Sequence, residues 1–153
     1  MKLAEALVER KAAQTKIGEI NERLQRVIVL PEGETPAEEP SALLAELGQV
    51  AERLELLINA INRTNINATL GDGTTLTAAI ARRDVLKMRM GVVDAVIRTA
   101  GNKHYRTRGS EIKFVSTVDV AAIQRDRDQL AKEYRELDTS IQAANWLVEL
   151  AER

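Results

Sequence analysis

Cysteine is absent from the 153 residues. That excludes disulfide staples, thiolate metal sites and cysteine nucleophiles together, and it suits a reducing cytosol. Histidine occurs once, as His104. A di-iron carboxylate centre needs Glu-x-x-His on two helices, so this four-helix chemistry is excluded. The zinc-protease string HExxH, the phosphate loop GxxxxGKS/T and the hydrolase elbow GxSxG are missing as well. No excess of charge of one sign exists: 22 Lys and Arg stand against 23 Asp and Glu. A global field drawing the chain to DNA or an anionic membrane is therefore lacking. No apolar run approaches the ~18 residues of a membrane span, and MKLAEALVERK has no h-region of a signal peptide. These absences point to a cytoplasmic protein with no membrane insertion, no metal, no cofactor and no catalytic residues.

What is present is helical periodicity. Leu3, Ala6, Ala13, Ile17, Ile20, Leu24 and Val27 recur at steps of three and four, or their sums, with Arg10 the one charge in the row. Leu43, Leu47, Val50, Leu54, Leu57 and Ile61 follow without a break, and Leu44, Ala51 and Ile58 widen that stripe. Ala79, Leu86, Met90, Val93, Ile97 and Ala100 form a third row, interrupted by Arg83. Ile123, Leu130, Tyr134, Leu137, Ile141, Ala144 and Val148 form a fourth, interrupted by Arg127. The spacing predicts helices over about 3–29, 42–66, 75–100 and 118–148, in one helical domain spanning 1–153. A last helix of roughly 30 residues reaches ~45 Å. The fold class expected is mainly α: an elongated bundle of four long coiled-coil-like helices.

The punctuation agrees with that division. Pro31, Gly33, Pro36 and Pro40 mark an acidic loop over 31–41. Asp72-Gly73 is turn chemistry, after which Thr75 or Thr77 caps the third helix. Gly101-Asn102 ends it, and Thr117 or Asp119 caps the fourth. Residues 103–116 change character: Ile112, Phe114 and Ser116 alternate with Lys113 and Val115, which predicts a short β-hairpin or strand insertion between helices 3 and 4.

Three groups of residues invite functional readings. The broad second stripe (Leu43, Leu47, Val50, Leu54, Leu57 and Ile61) exceeds what two flanking helices cover, so self-association as a homo-oligomer is expected there, with help from the fourth helix. Asn62, Asn65, Arg83, Asp84, Arg127 and Asp128 suggest a buried polar layer that sets helix register or oligomer state. Alternatives are a ligand or enzyme site near Asn62, Asn65 and Arg83, or arginines that snorkel to water. Finally, within 98–113 five cations face Glu111 alone. Lys103, His104, Tyr105, Arg106, Arg108 and Lys113 could contact nucleic acid, the tyrosine stacking and the cations holding phosphates. The favoured reading is a solvated tip, or one docked on an acidic segment such as 32–55 of its own or a neighbouring chain, because the chain lacks the basic excess of a nucleic-acid binder. Trp146, the lone tryptophan, reads as a packing or interface anchor.

Several local strings together resemble the septicolysin-like family of small bacterial proteins: Ile61-Asn62-Arg63-Thr64-Asn65, Asp72-Gly73-Thr74-Thr75-Leu76-Thr77 and Arg83-Asp84-Val85-Leu86-Lys87. Ser110-Glu111-Ile112-Lys113-Phe114-Val115, Thr117-Val118-Asp119-Val120, Glu133-Tyr134-Arg135-Glu136-Leu137-Asp138 and Asn145-Trp146 extend the resemblance over nearly the whole chain. It implies a mainly helical, oligomeric intracellular protein of unestablished function, with no catalytic residues to carry over. The name suggests a cytolysin, but a pore-forming strand needs ~9–11 residues with one apolar face, and 112–116 is short and carries Lys113. The function expected is accordingly a non-enzymatic, self-associating helical structural protein, the alternatives being nucleic-acid association through 98–113 or the polar site.

Overall fold

The apolar rows fold as four α-helices in the computed structural model, which describes residues 1–102 and 114–151. They are α1 (Leu3–Val27), α2 (Pro40–Asn67), α3 (Leu76–Ala100) and α4 (Val120–Leu147). The protein is mainly α. Two compact units divide the chain, one made of residues 1–69 with the C-terminal segment from Ala143, the other of residues 70–142.

In the first unit α1 and α2 form an antiparallel hairpin. Pro40 opens α2 rather than preceding it, because its fixed φ suits the first helical position and its missing N–H costs nothing there. Ile20, Leu24 and Val27 of α1 close over Leu43, with Leu47 and Val50 packed against them. Leu57 and Ile61 continue the buried row down α2, and Leu54 is half-buried. Each such side chain contributes ~1.5–3 kcal/mol by leaving water. Charged pairs flank this seam. Arg53 grips both carboxylate oxygens of Glu9 at 2.7 and 2.8 Å. Lys16 reaches Glu46 at 3.1 Å. Arg23 meets Glu46 at 3.2 Å and chelates Glu38 in the interhelical loop, which ties that loop down.

The ends of the first unit are laced together. The Leu3 N–H donates to the Val148 carbonyl and the Leu150 N–H to the Met1 carbonyl, both at 2.9 Å, around an isolated antiparallel bridge between Lys2 and Glu149. Glu149 also receives the Lys2 ammonium at 2.6 Å and the N-terminal ammonium at 3.3 Å. Buried Thr64 completes the clasp: its Oγ1 donates to the Ala60 carbonyl and accepts the Ala151 N–H.

In the second unit α3 and α4 run antiparallel, as their ion pairs require. The turn before α3 places Gly73 at φ +83°, a left-handed conformation that favours glycine, while Asp72 accepts the Thr74 N–H at 2.9 Å. Thr75, not Thr77, caps α3, and Asp119, not Thr117, caps α4 through the Ala122 N–H at 3.0 Å. Leu76, Ala79 and Leu86 of α3 and Leu130, Ala131 and Ile141 of α4 are buried.

The expected β insertion needs correction. No strand occurs among the described residues; 103–113 lie outside them, and Phe114–Thr117 form none. Ser116 accounts for part of this, since its hydroxyl donates to the Val118 carbonyl at 3.1 Å and accepts the Val118 N–H at 3.3 Å. Such local bonds compete with a strand ladder for the same backbone groups.

Candidate functional site

In the second unit the outer face of α3 is apolar and exposed. Val85, Met88, Val92 and Val96 are 54%, 71%, 67% and 36% exposed. With Ala78, Ala81, Ala95 and Thr99 they make a second row at steps of three and four. Its Met88, Val92, Ala95 and Thr99 are offset by two residues from the inward row of buried Leu86 and half-buried Met90, Val93 and Ile97, and two residues turn a helix by about 200°. α3 is therefore apolar on opposite sides. Only the buried row was recognised in the sequence; testing both registers of the same helix would have revealed the other.

Towards its C-terminal end this face borders a hollow of about 490 Å³. Val92, Ala95, Val96 and Thr99 form one wall, and Phe114–Val118 the other. Leading into it, Val85 and Met88 stand as an open ridge. Two further hollows lie in the first unit, one lined by Glu9, Lys16, Gln49 and Arg53 and one by Arg53, Leu56, Arg63 and Leu150. Glu9 is held by Arg53, which lowers its pKa chiefly through that hydrogen bond, and Lys16 is held by Glu46.

The polar residues expected to form one layer are held separately. Arg83 donates to Asp84 at 2.8 and 3.0 Å and reaches Asp138 across the helix pair at 3.4 Å. Burial alone would lower the Arg83 pKa, but Asp84 and Asp138 outweigh it and hold the guanidinium charged. Arg127 does not pair with Asp128. It makes a two-pronged contact to Asp94, at 2.8 and 3.1 Å, that pulls the Asp94 carboxyl below its usual range. Asp128 instead accepts from Gln124 at 3.0 Å. Residues 83 and 94 are about three helical turns apart, roughly 16 Å, so these are two clamps rather than one layer. The helices exchange roles between them, arginine on α3 at one clamp and on α4 at the other. Asn62 is exposed and Asn65 half-buried, both on α2 in the other unit.

The stripe expected to self-associate lies largely inside the chain. Leu43, Leu57 and Ile61 are buried within the chain itself, with Leu47, Val50 and Leu54 partly so, because α1 folds back along α2 and occupies that seam. Of its flanks, Leu44 and Ile58 remain in water. Trp146 is exposed too. Lys103, His104, Tyr105, Arg106, Arg108 and Lys113, the residues considered for nucleic acid, lie outside the described residues. Among the described residues no cluster of three His, Asp or Glu groups could hold a metal, and no helix is long and apolar enough to cross a membrane.

Residues 10–150 match a family of unknown function, DUF6847. The chain belongs to that family. The chain is similar to a functionally unknown conserved protein from Corynebacterium diphtheriae, whose crystal structure matches over 99% of both chains at 39% identity, with a TM-score of 0.92. No curated protein matches. The function of the family and of this neighbour is unknown, as is that of the chain. The septicolysin-like resemblance is overturned, since the matches lead to DUF6847 and none to a septicolysin-like family. Strings such as Asp72-Gly73-Thr74-Thr75 are dictated by a turn and a helix cap, so they recur without common descent.

Proposed function

We propose that this DUF6847 chain is a non-enzymatic, self-associating helical protein of the cytoplasm, acting through coiled-coil-like contacts between its copies. One observation carries the reading: Val85, Met88 and Val92 form an exposed apolar row with the heptad spacing of a helix seam. Apolar faces of this kind favour a partner, because water is a poor solvent for contiguous hydrocarbon. The α2 stripe no longer supports the proposal, as α1 already covers it. Light scattering at micromolar concentration tests it. A mass well above the 16.9 kDa of one chain is expected, and a mass of 16.9 kDa overturns it.

A further inference from the structure

Resting on that self-association, we infer that the outer face of α3 is a homodimer interface in which two copies pack antiparallel about a two-fold axis beside Met90. The face is self-complementary in shape. Its N-terminal half is a ridge made by Val85 and Met88, and its C-terminal half is the hollow between Val92, Ala95 and Val96 and the Phe114–Val118 wall. A C2 interface requires this property, since the same patch must serve as both partners. Turning one copy end for end sets Met88 opposite Val92 of a second copy and Val85 opposite Ala95. Each ridge then enters the other's hollow as a knob enters a hole. A parallel pair would instead set ridge on ridge and hollow on hollow, leaving both hollows unfilled.

Charge supports the same orientation. The antiparallel register brings Asp84 to Arg98 of the second copy, twice by symmetry. Asp84 has a side chain 52% exposed even while it receives Arg83, and Arg98 is exposed. The register also sets Arg89 near its own copy at the axis, a like-charge contact that both long side chains relieve by turning into water. The occupant of the hollow is thus a second copy of this chain.

The test uses the full chain, whose lack of cysteine makes introduced thiols unambiguous. Wild type is expected to be dimeric in light scattering, and Met88→Glu or Val92→Glu is expected to raise the dissociation constant more than about a hundredfold, with helical circular dichroism unchanged. Under mild oxidation, Val85→Cys mixed with Ala95→Cys should form a disulfide-linked dimer. Val85→Cys alone should not, because its own copy lies ~15 Å away along the axis, beyond disulfide reach. A monomeric wild type overturns both the interface and the self-association it rests on. A dimer indifferent to both glutamates overturns the α3 face while leaving self-association standing. Efficient cross-linking of Val85→Cys to itself overturns the antiparallel packing.

Discussion

Replacing Leu57 by alanine separates an intrachain seam from an interchain one. Leu57 is 2% exposed, in the α2 row that faces α1. Truncation removes the side chain beyond Cβ and leaves a hole that stiff helical neighbours only partly close. For such sites the cost is ~2–5 kcal/mol. A chain of this length loses ~2–4 °C of melting temperature per kcal/mol, so a loss near 3 kcal/mol lowers it by roughly 6–12 °C. Because the buried surroundings of Leu57 belong to the same chain, the difference from wild type should be the same at protein concentrations a hundredfold apart. Met88→Ala should behave in the opposite way. It disturbs no core, so its effect should stay within ~0.5 kcal/mol where the protein is dilute and grow where copies associate. Urea denaturation followed by circular dichroism at both concentrations measures this. A Leu57→Ala cost below about 1 kcal/mol, or one that grows with concentration, would refute the placement of the α2 stripe inside the chain.

Further expectations follow from single contacts. Asp119→Ala should destabilise by ~1 kcal/mol through loss of the α4 cap, and Asp119→Asn should retain most of it, as thermal melts will show. The Arg127–Asp94 clamp is partly exposed, so a double-mutant cycle with Arg127→Met and Asp94→Ala should yield a weak favourable coupling that shrinks in high salt; a coupling unchanged by salt would refute its ionic character. Lys2 and the N-terminal ammonium hold the Glu149 carboxyl below its ordinary 4.5. A depressed carboxyl stabilises above its unfolded value and loses that contribution as pH falls through the folded one. Protection of the Leu3 and Leu150 amides from exchange should therefore weaken below about pH 4.5, and Glu149→Gln should abolish that pH dependence. Gly73→Ala should cost ~1–2 kcal/mol, because its φ of +83° is left-handed, with the loss read from the melting temperature.

Much of the local structure was legible in the residues. All four helices were expected within about two residues of the observed ends, and Thr75 and Asp119 were among the named caps. Turn and cap chemistry acts over three or four residues, so nearby sequence suffices to specify it. The partners of Arg83 and Arg127 were not legible: adjacent Asp84 and Asp128 looked equivalent, yet only Asp84 is used, and the cross-helix acids are Asp138 and Asp94. The outer row of α3 was hidden for a related reason. Once Leu86, Met90 and Val93 define a core face, valines on the other side pass as ordinary surface until a structure shows them contiguous and uncovered.

By itself the sequence determined where the chain is helical, where it turns and which faces are apolar, because these depend on backbone geometry and on the 3.6-residue period. Only the tertiary structure decided which apolar face is consumed within the chain and which stays exposed. Within the first unit α1 lies along the α2 stripe; within the second the outer face of α3 is exposed. Hydrocarbon burial has no direction and no memory of chain identity, so a seam closed by the same molecule and one closed by another carry the same pattern.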